Sequence, residues 1–484
     1  MLDLLSGCTA ASVVSGSIIA GYAPGWKDLS AADISKYTHI NLAYVEPQAN
    51  GTFEFNASYN VQEITNKIHS AGSRALIALG GYSGSIYISD ALKSTDSRGQ
   101  LARSIVDFIK DNHMDGVDID WIANECNHVD PRNDAANLLA FVHELRDSLD
   151  SAFSSIPKKI IALGVGLKPF AGPDGPLSDV SEYAKWVDYI NILAYDINGP
   201  ESSTTGPNSP LNYEFDRGNQ QSLISAIDSW TQAKFPANKI TAGIAFYGRS
   251  SRATVDMSTQ PWNVYQPQES TVPKGDDDDG LWASQCNKGK PNFSGIWAYK
   301  NLRKQGVLKA AEEAAVPWQR NWDSVSLTPW VFNSETKTFI SYDDPSSISA
   351  KAGFVQERGL AGIAVYDVSM DYQSELLNAI TNILKPDAPL NATQSQNASE
   401  SASTSFSYFS CSSSIPPTTS LPLPTISDKV ETNFTSASST FMSTESSIPN
   451  VPTSTTITTD INHDLPKAGS SCGWASTYRC MDVD

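Results

Sequence analysis

The sequence predicts an α/β fold in which eight parallel strands close into a (β/α)8 TIM barrel. The first observation is a series of short β-rich runs: SIIAGYA, HINLAYV, RALIALGG, GVDIDW, IIALGVG, YINILAYD, ITAGIAFYG and GLAGIAVYD. Several are almost continuously apolar, which is typical of parallel strands covered on both faces. The second observation is the helical spacing of segments between them, such as QLARSIVDFIKDNH. Alternating strands and helices predict the barrel, with an insertion between strands 7 and 8.

The composition divides the chain into four segments. The barrel alternation covers residues 17–385, whereas residues 386–466 are rich in Ser, Thr and Pro. Such a segment buries too little apolar surface to offset the entropy of ordering, so a disordered, glycosylated tail is expected. Residues 1–16 resemble the end of a signal peptide without its basic start. Residues 467–484 carry a close Cys pair and are expected to be a truncated fragment that opens a further module. N-glycosylation sequons occur at Asn56, Asn292, Asn391, Asn397 and Asn433.

Charge and cysteine content narrow the classes of partner. The formal net charge of -19 argues against nucleic acid and anionic membranes, both of which need a basic surface. No apolar run is long enough to span a bilayer. The six cysteines form no CxxC or Cys/His cluster, so neither a metal nor another cofactor is expected. The sequons and the Ser/Thr-rich tail favour an extracellular or cell-wall protein, expected to be a monomer.

The fourth run points to the functional site. In DGVDIDWIANEC, strand alternation directs Asp118, Asp120 and residue 122 to one side, and the active sites of such barrels lie at the C-terminal ends of the strands. Two inward carboxyl groups are costly to bury without a purpose. Aromatic, acidic and basic residues end other runs, and together they predict a sugar-binding cleft: Tyr22, Tyr44, Tyr82, Trp121, Tyr195, Asp196, Tyr247, Arg249 and Tyr366. For each Tyr taken singly, simple core packing remains an alternative.

At this point the sequence resembles a known family. DGVDIDW resembles the DxxDxDxE signature of glycoside hydrolase family 18, the chitinases. YINILAYDINGP, GIAFYGRS, WDSVSLTPWVFN and GLAGIAVYDVSMD are similar, in the same order, to further blocks of its fungal members. The resemblance implies chitin or chitooligosaccharides as partners, and hydrolysis in which the acetamido oxygen of the substrate attacks the anomeric carbon. It also places Gly81 and Trp330 among the substrate-binding residues.

The same resemblance implies roles for the site residues. Asp120 would orient the acetamido group and stabilise the charged intermediate, and Asp118 would tune Asp120. Tyr195 would hydrogen-bond the acetamido carbonyl, and Asp196 would help to hold the site. The signature's final Glu, which protonates the leaving oxygen, falls on Ile122.

Isoleucine has no proton to transfer, and loss of a positioned general acid costs about 10²- to 10⁴-fold in rate. Glu125 is a poor substitute because it lies three residues further on, roughly 10 Å along an extended chain, and on the opposite phase. The chain is therefore predicted to be nearly inactive. Trp121 runs almost directly into CNHVDPRNDAANLLAFVHELR, a segment resembling one that follows the signature after several more residues in relatives. Either the protein lost these residues, or a misplaced exon boundary removed them from the gene sequence.

Three functions remain open: a chitinase lineage, a chitin-binding lectin-like pseudoenzyme, and an inhibitor or interaction protein on the same barrel. Ala78 stands where the family's SxGG motif has a serine. Tyr366 stands where a Trp is expected to form the floor of the sugar site. Cys126 and Cys286 are candidates for a disulfide between the loop after strand 4 and the insertion.

Overall fold

The protein is described here by a computed structural model covering residues 17–27, 29, 32–122, 128–154, 157–283 and 291–385. Its centre is a barrel of eight parallel strands, in which each strand pairs with its sequence neighbours and the first pairs with both the second and the last. The predicted barrel is therefore confirmed. The strands are β1 (Ile18–Pro24), β2 (His39–Pro47), β3 (Arg74–Gly80), β4 (Gly116–Asp120), β5 (Ile160–Val165), β6 (Tyr189–Ile192), β7 (Ile240–Ala245) and β8 (Gly362–Tyr366).

Helices cover most of the outer surface of the barrel. The longer ones are α1 (Val61–Ser70), α2 (Thr95–Asp111), α3 (Asp134–Ala152), α4 (Leu223–Gln232), α5 (Pro345–Glu357) and α6 (Glu375–Ile383). Shorter helices span Gly81–Gly84, Ile88–Leu92 and Tyr299–Lys304. Between β1 and β2, and between β5 and β6, the only helical segments among the described residues are the 3-10 turns Ile34–Lys36 and Tyr183–Lys185. In the second case, the Pro- and Gly-containing sequence KPFAGPDGP does not sustain a helix.

The interior of the barrel is packed in layers. Near the N-terminal ends of the strands, Leu76, Ile160, Ala162 and Tyr189 form one buried cluster. Nearer the C-terminal ends, the cluster consists of Tyr22 and small residues: Ala20, Ala43, Ala78 and Ala364. Because alanines line this second layer, space remains for polar side chains at the mouth of the barrel. Ala78, which replaces the family's serine, belongs to this layer.

An insertion between β7 and β8 forms a second sheet. Its five antiparallel strands are Tyr247–Arg252, Ile296–Ala298, Trp318–Asp323, Thr328–Asn333 and Thr338–Ser341. Trp330 is 1% exposed and packs in the separate core of this insertion, 5.7 Å between ring centroids from Phe339. The Trp330 ring therefore packs inside the insertion, and its contact with substrate stays a prediction.

Several sequence predictions fall outside the described residues. These are the signal-like segment, the Ser/Thr-rich tail, the terminal Cys fragment, Glu125, and the candidate disulfide partners Cys126 and Cys286. Across the ranges that are described, none of the helices is both long enough and apolar enough to cross a membrane.

Candidate functional site

A cleft of about 610 Å³ opens at the C-terminal ends of the barrel strands. The rings that sequence alternation placed there do line it: Tyr44, Tyr82, Trp121, Tyr195, Tyr247 and Tyr366. Trp26 and Trp282, which were not predicted, line it as well. Trp282 belongs to the insertion and lies 5.9 Å from Tyr82 between ring centroids, so the insertion forms one wall of the cleft.

Asp118 is a fully buried carboxyl group with several hydrogen-bond donors. The Tyr22 hydroxyl donates to Oδ2 at 2.6 Å, and the Asn41 amide donates to the same atom at 2.8 Å. The Asn191 amide lies 3.3 Å from Oδ1 and 3.2 Å from Oδ2. Burial raises the pKa of Asp118, and these hydrogen bonds offset part of the increase.

Asp120 has a different environment although it is only two residues away. Its Oδ1 is buried and has no hydrogen-bond partner. Burial raises the pKa of Asp120 and the neighbouring Asp118 charge raises it further, while an interaction with Tyr44 lowers it in part. The pair therefore retains a proton towards neutral pH, since two close carboxylates cannot both ionise easily.

A glycine on the adjacent strand makes room for this carboxyl group. A Cβ atom at Gly164 of β5 would lie 2.3 Å from Asp120 Oδ1. Any larger residue would displace the Asp120 carboxyl group, so the glycine in IIALGVG is needed for its buried position at the end of β4.

Residue 122 lies two positions beyond the last residue of β4, and both it and Trp121 line the cleft. The Ile122 backbone N–H donates to Ser85 Oγ at 3.0 Å, and the Ser85 hydroxyl donates to the Gly81 carbonyl at 2.6 Å. The turn after β3 thereby fixes the backbone of residue 122, the position that the acid occupies in the family.

A buried ion cluster lies across the cleft, at the ends of β6 and β7. Arg249 Nη1 is 2.7 Å from Asp196 Oδ1, and Arg249 Nη2 is 2.8 Å from Glu201 Oε2. The Tyr247 hydroxyl donates to Asp196 Oδ2 at 2.8 Å. Although burial alone would lower it, the Glu201 and Asp196 charges raise the pKa of Arg249. Arg249 is 4% exposed, so in this structure it anchors the two carboxylates rather than presenting a free cation to the cleft.

Two predicted substrate contacts have structural positions instead. Tyr22 is 1% exposed and its hydroxyl is engaged by Asp118, so it positions a carboxyl group beneath the cleft. Gly81 adopts a positive φ of 68°, and a Cβ atom there would lie 2.7 Å from the Tyr44 ring. Gly81 therefore permits the turn that lets Tyr44 reach the cleft.

The acidic run GDDDDG builds part of the insertion wall. Asp279 accepts hydrogen bonds from the backbone N–H groups of Gly275 and Gly295, and Asp276 accepts one from Ala298 N–H. Among the residues that the structure describes, no group of acidic, His and Cys side chains could hold a metal ion. Asp276 and Asp279 are therefore held by backbone N–H groups of the insertion, whereas Asp277 and Asp278 are exposed.

Sequence reasoning missed Asn41, Asn191, Gly164 and Glu201 as supporting residues. Asn41 and Asn191 were detectable as polar positions in the inward phase of otherwise apolar runs, HINLAYV and YINILAYD. Trp26 and Trp282 carried no such signal, since both lie in loops.

Comparison with known proteins agrees with this architecture. The model of the family described as glycosyl hydrolases family 18 matches residues 18–371. The chain therefore belongs to glycosyl hydrolase family 18.

Similar proteins include chitinase-like effectors and a chitinase of known structure. A chitinase-like effector of Moniliophthora roreri is 33% identical over 401 residues, covering 78% of this chain and 96% of the relative. A chitinase-like effector of Moniliophthora perniciosa is 30% identical, covering 75% of this chain and 86% of the relative. The crystal structure of a chitinase from Rhizomucor miehei matches with a TM-score of 0.70 at 28% identity, covering 76% of this chain and 99% of that one.

Proposed function

We propose that the cleft binds β-1,4-linked N-acetylglucosamine chains, as chitin or chitooligosaccharides, without appreciable hydrolysis. The observation that carries the proposal is Ile122, which lines the cleft just beyond Asp120, at the position of the family's acid, but has no proton to transfer. Retention of the rest of the site supports binding. Two similar proteins are named chitinase-like effectors, and this name is compatible with a role other than catalysis.

The polar groups of the cleft suit an acetamido sugar. Asp120 Oδ1 is buried without a protein hydrogen-bond partner, and we expect an acetamido N–H that reaches the end of β4 to satisfy it. Burial raises the pKa of Tyr195 well above its ordinary value, so its hydroxyl remains a neutral donor for an acetamido carbonyl. The surrounding rings can stack on the apolar faces of successive sugars.

Binding and hydrolysis are tested on the same preparation. We expect retention on chitin beads and no measurable release from a fluorogenic chitobioside. Tyr366→Ala removes a cleft ring and should weaken oligosaccharide binding by about tenfold, or ~1.4 kcal/mol. Trp262→Ala is the matched control, since Trp262 is 73% exposed and is not among the residues lining the cleft.

Three outcomes contradict the proposal in different ways. Failure to bind chitin and its oligosaccharides would favour the inhibitor or interaction protein. Hydrolysis by the wild type would show that another acid acts, and Glu46, which also lines the cleft, would be tested first as Glu46→Gln. A transcript encoding extra residues that begin with Glu after Trp121 would make the native protein an ordinary chitinase.

The proposal includes location and assembly. The five sequons and the Ser/Thr-rich segment support an extracellular or cell-wall protein, and we propose that it is a monomer. Detection in culture supernatant tests the first part, and light scattering of the purified protein, with a monomer mass expected, tests the second.

A further inference from the structure

One of the sequons forms part of the cleft. Asn56, Ala57 and Ser58 follow the short strand Phe53–Glu54, which pairs with the end of β2. Asn56 is exposed and is one of the residues that line the cleft. Nothing in the proposed binding of sugar chains requires an Asn-X-Ser sequence at this place.

The sequon is tied firmly to the barrel. The Ser58 backbone N–H and the Ser58 hydroxyl both donate to the Gly25 carbonyl, at 2.8 and 2.7 Å. A Cβ atom at Gly25 would lie 3.4 Å from Ala57 Cα, so the two segments pack closely. The Gly25 N–H in turn donates to the Ala43 carbonyl at 2.5 Å. A group attached to Asn56 would therefore start from a defined point on the rim.

The neighbouring ring is suited to hold such a group. Trp26 directly follows Gly25, lines the cleft and is 58% exposed. The innermost sugars of an N-linked glycan are β-1,4-linked N-acetylglucosamine, whose apolar faces can stack on an indole ring. The glycan thus has the same chemistry as the ligand proposed for the cleft and begins on the same wall.

We propose that Asn56 carries an N-linked glycan that rests on Trp26 and partly covers the cleft, weakening the binding of long chains. This effect on binding rests on the proposed function. The apparent Kd equals the intrinsic Kd divided by the fraction of molecules in which the site is uncovered. Coverage in about two thirds to nine tenths of conformations would raise it about 3- to 10-fold.

The experiment compares full-length protein from two hosts. Protein from a eukaryotic secretory host and from a bacterial host without N-glycosylation is titrated with an N-acetylglucosamine hexasaccharide. In the eukaryotic host, Asn56→Gln should bind about 3- to 10-fold more tightly than the wild type. In the bacterial host the ratio of the two Kd values measures the effect of the side chain alone, and the ratio in the eukaryotic host should exceed it by about 3- to 10-fold.

A sequon outside the family-matched residues provides the matched control. Asn433→Gln, made in the eukaryotic host, should leave the Kd unchanged. Mass spectrometry of the Asn56 peptide should find it glycosylated. An unmodified Asn56, or a modified Asn56 with equal Kd values for wild type and Asn56→Gln, would overturn the inference.

Hydroxyl-radical footprinting separates this inference from the proposed function. Trp26 should be oxidised more slowly in the glycosylated wild type than in Asn56→Gln, with no ligand present. Equal oxidation overturns the glycan contact even if oligosaccharides bind. If bacterial protein binds no oligosaccharide, the proposed function fails and with it the effect on binding, while the footprint still decides the contact.

Discussion

Two pairs of buried acidic residues lie near the mouth of the barrel, and their surroundings differ. At the end of β4, Asp118 and Asp120 are buried, and neither takes part in an ion pair among the described residues. At the ends of β6 and β7, Asp196 and Glu201 share Arg249. A carboxylate with a buried cation has its charge compensated and serves the scaffold, whereas an uncompensated buried pair holds a proton.

We call the end of β4, with Asp118 and Asp120, the uncompensated end. The largest expected effect follows from adding a carboxyl group there. Ile122→Glu should raise hydrolysis of a fluorogenic chitobioside by about 10²- to 10⁴-fold, because it supplies a proton donor in phase with Asp120. Ile122→Gln is the matched control, since it has a similar length but no transferable proton. If both variants bind oligosaccharide and neither hydrolyses it, residue 122 does not occupy the position of the family's acid.

Asp196, Glu201 and Arg249 form the compensated end. Removing the cation from it should destabilise the folded protein. Arg249→Ala leaves two buried carboxylates unpaired and should lower the free energy of unfolding by about 3–5 kcal/mol. Urea denaturation measures this change. Arg252→Ala, at the exposed end of the same strand, should change it by less than about 0.5 kcal/mol. Equal small effects would mean that Arg249 does not hold the site together.

Removing an ionisable carboxyl group from the uncompensated end should have the opposite effect and raise the free energy of unfolding. Below pH 3.8, the ordinary pKa of an Asp, Asp120 is protonated in both the folded and the unfolded states. As the pH rises towards the elevated pKa of the folded state, the unfolded chain loses its proton first, so the wild type loses stability. Asp120→Asn avoids this loss and should gain about 1 kcal/mol or more at neutral pH, with little difference in acid.

A series of thermal melts against pH measures that difference. Asp118→Asn is the contrasting variant: it should be destabilised throughout, because the Tyr22, Asn41 and Asn191 donors would face an amide. A flat difference between Asp120→Asn and the wild type across pH would show that the Asp120 pKa is not raised.

The smallest expected effect concerns the backbone that carries the uncompensated end. Ser85→Ala removes the hydroxyl that accepts the Ile122 N–H and should cost about 1 kcal/mol. The same change in the Ile122→Glu background should also reduce its hydrolysis. Ser70→Ala, on the exposed face of α1, is the control for stability. An unchanged free energy of unfolding would show that this hydrogen bond is not needed.

Much of the site could be predicted because strand alternation is a local property. The common inward direction of Asp118 and Asp120 follows from their spacing alone, and so does the arrival of Tyr195 and Tyr366 near the mouth. Burial of Trp330 and Tyr22 could not be predicted in this way. A ring at a strand end can face the cleft, a neighbouring core or a buried acid, and the choice depends on segments that are distant in sequence.

The sequence by itself determined the eight strands, the direction of their side chains and the absence of a proton donor at residue 122, since these depend on residue type and near-neighbour periodicity. Tertiary structure alone decided which acids receive a cation. Arg249 meets Glu201 across 48 positions, and Asp118 meets Asn41 across 77. Only the closure of the barrel brings such groups within hydrogen-bonding distance, and that distance separates a scaffold carboxylate from one left for a ligand.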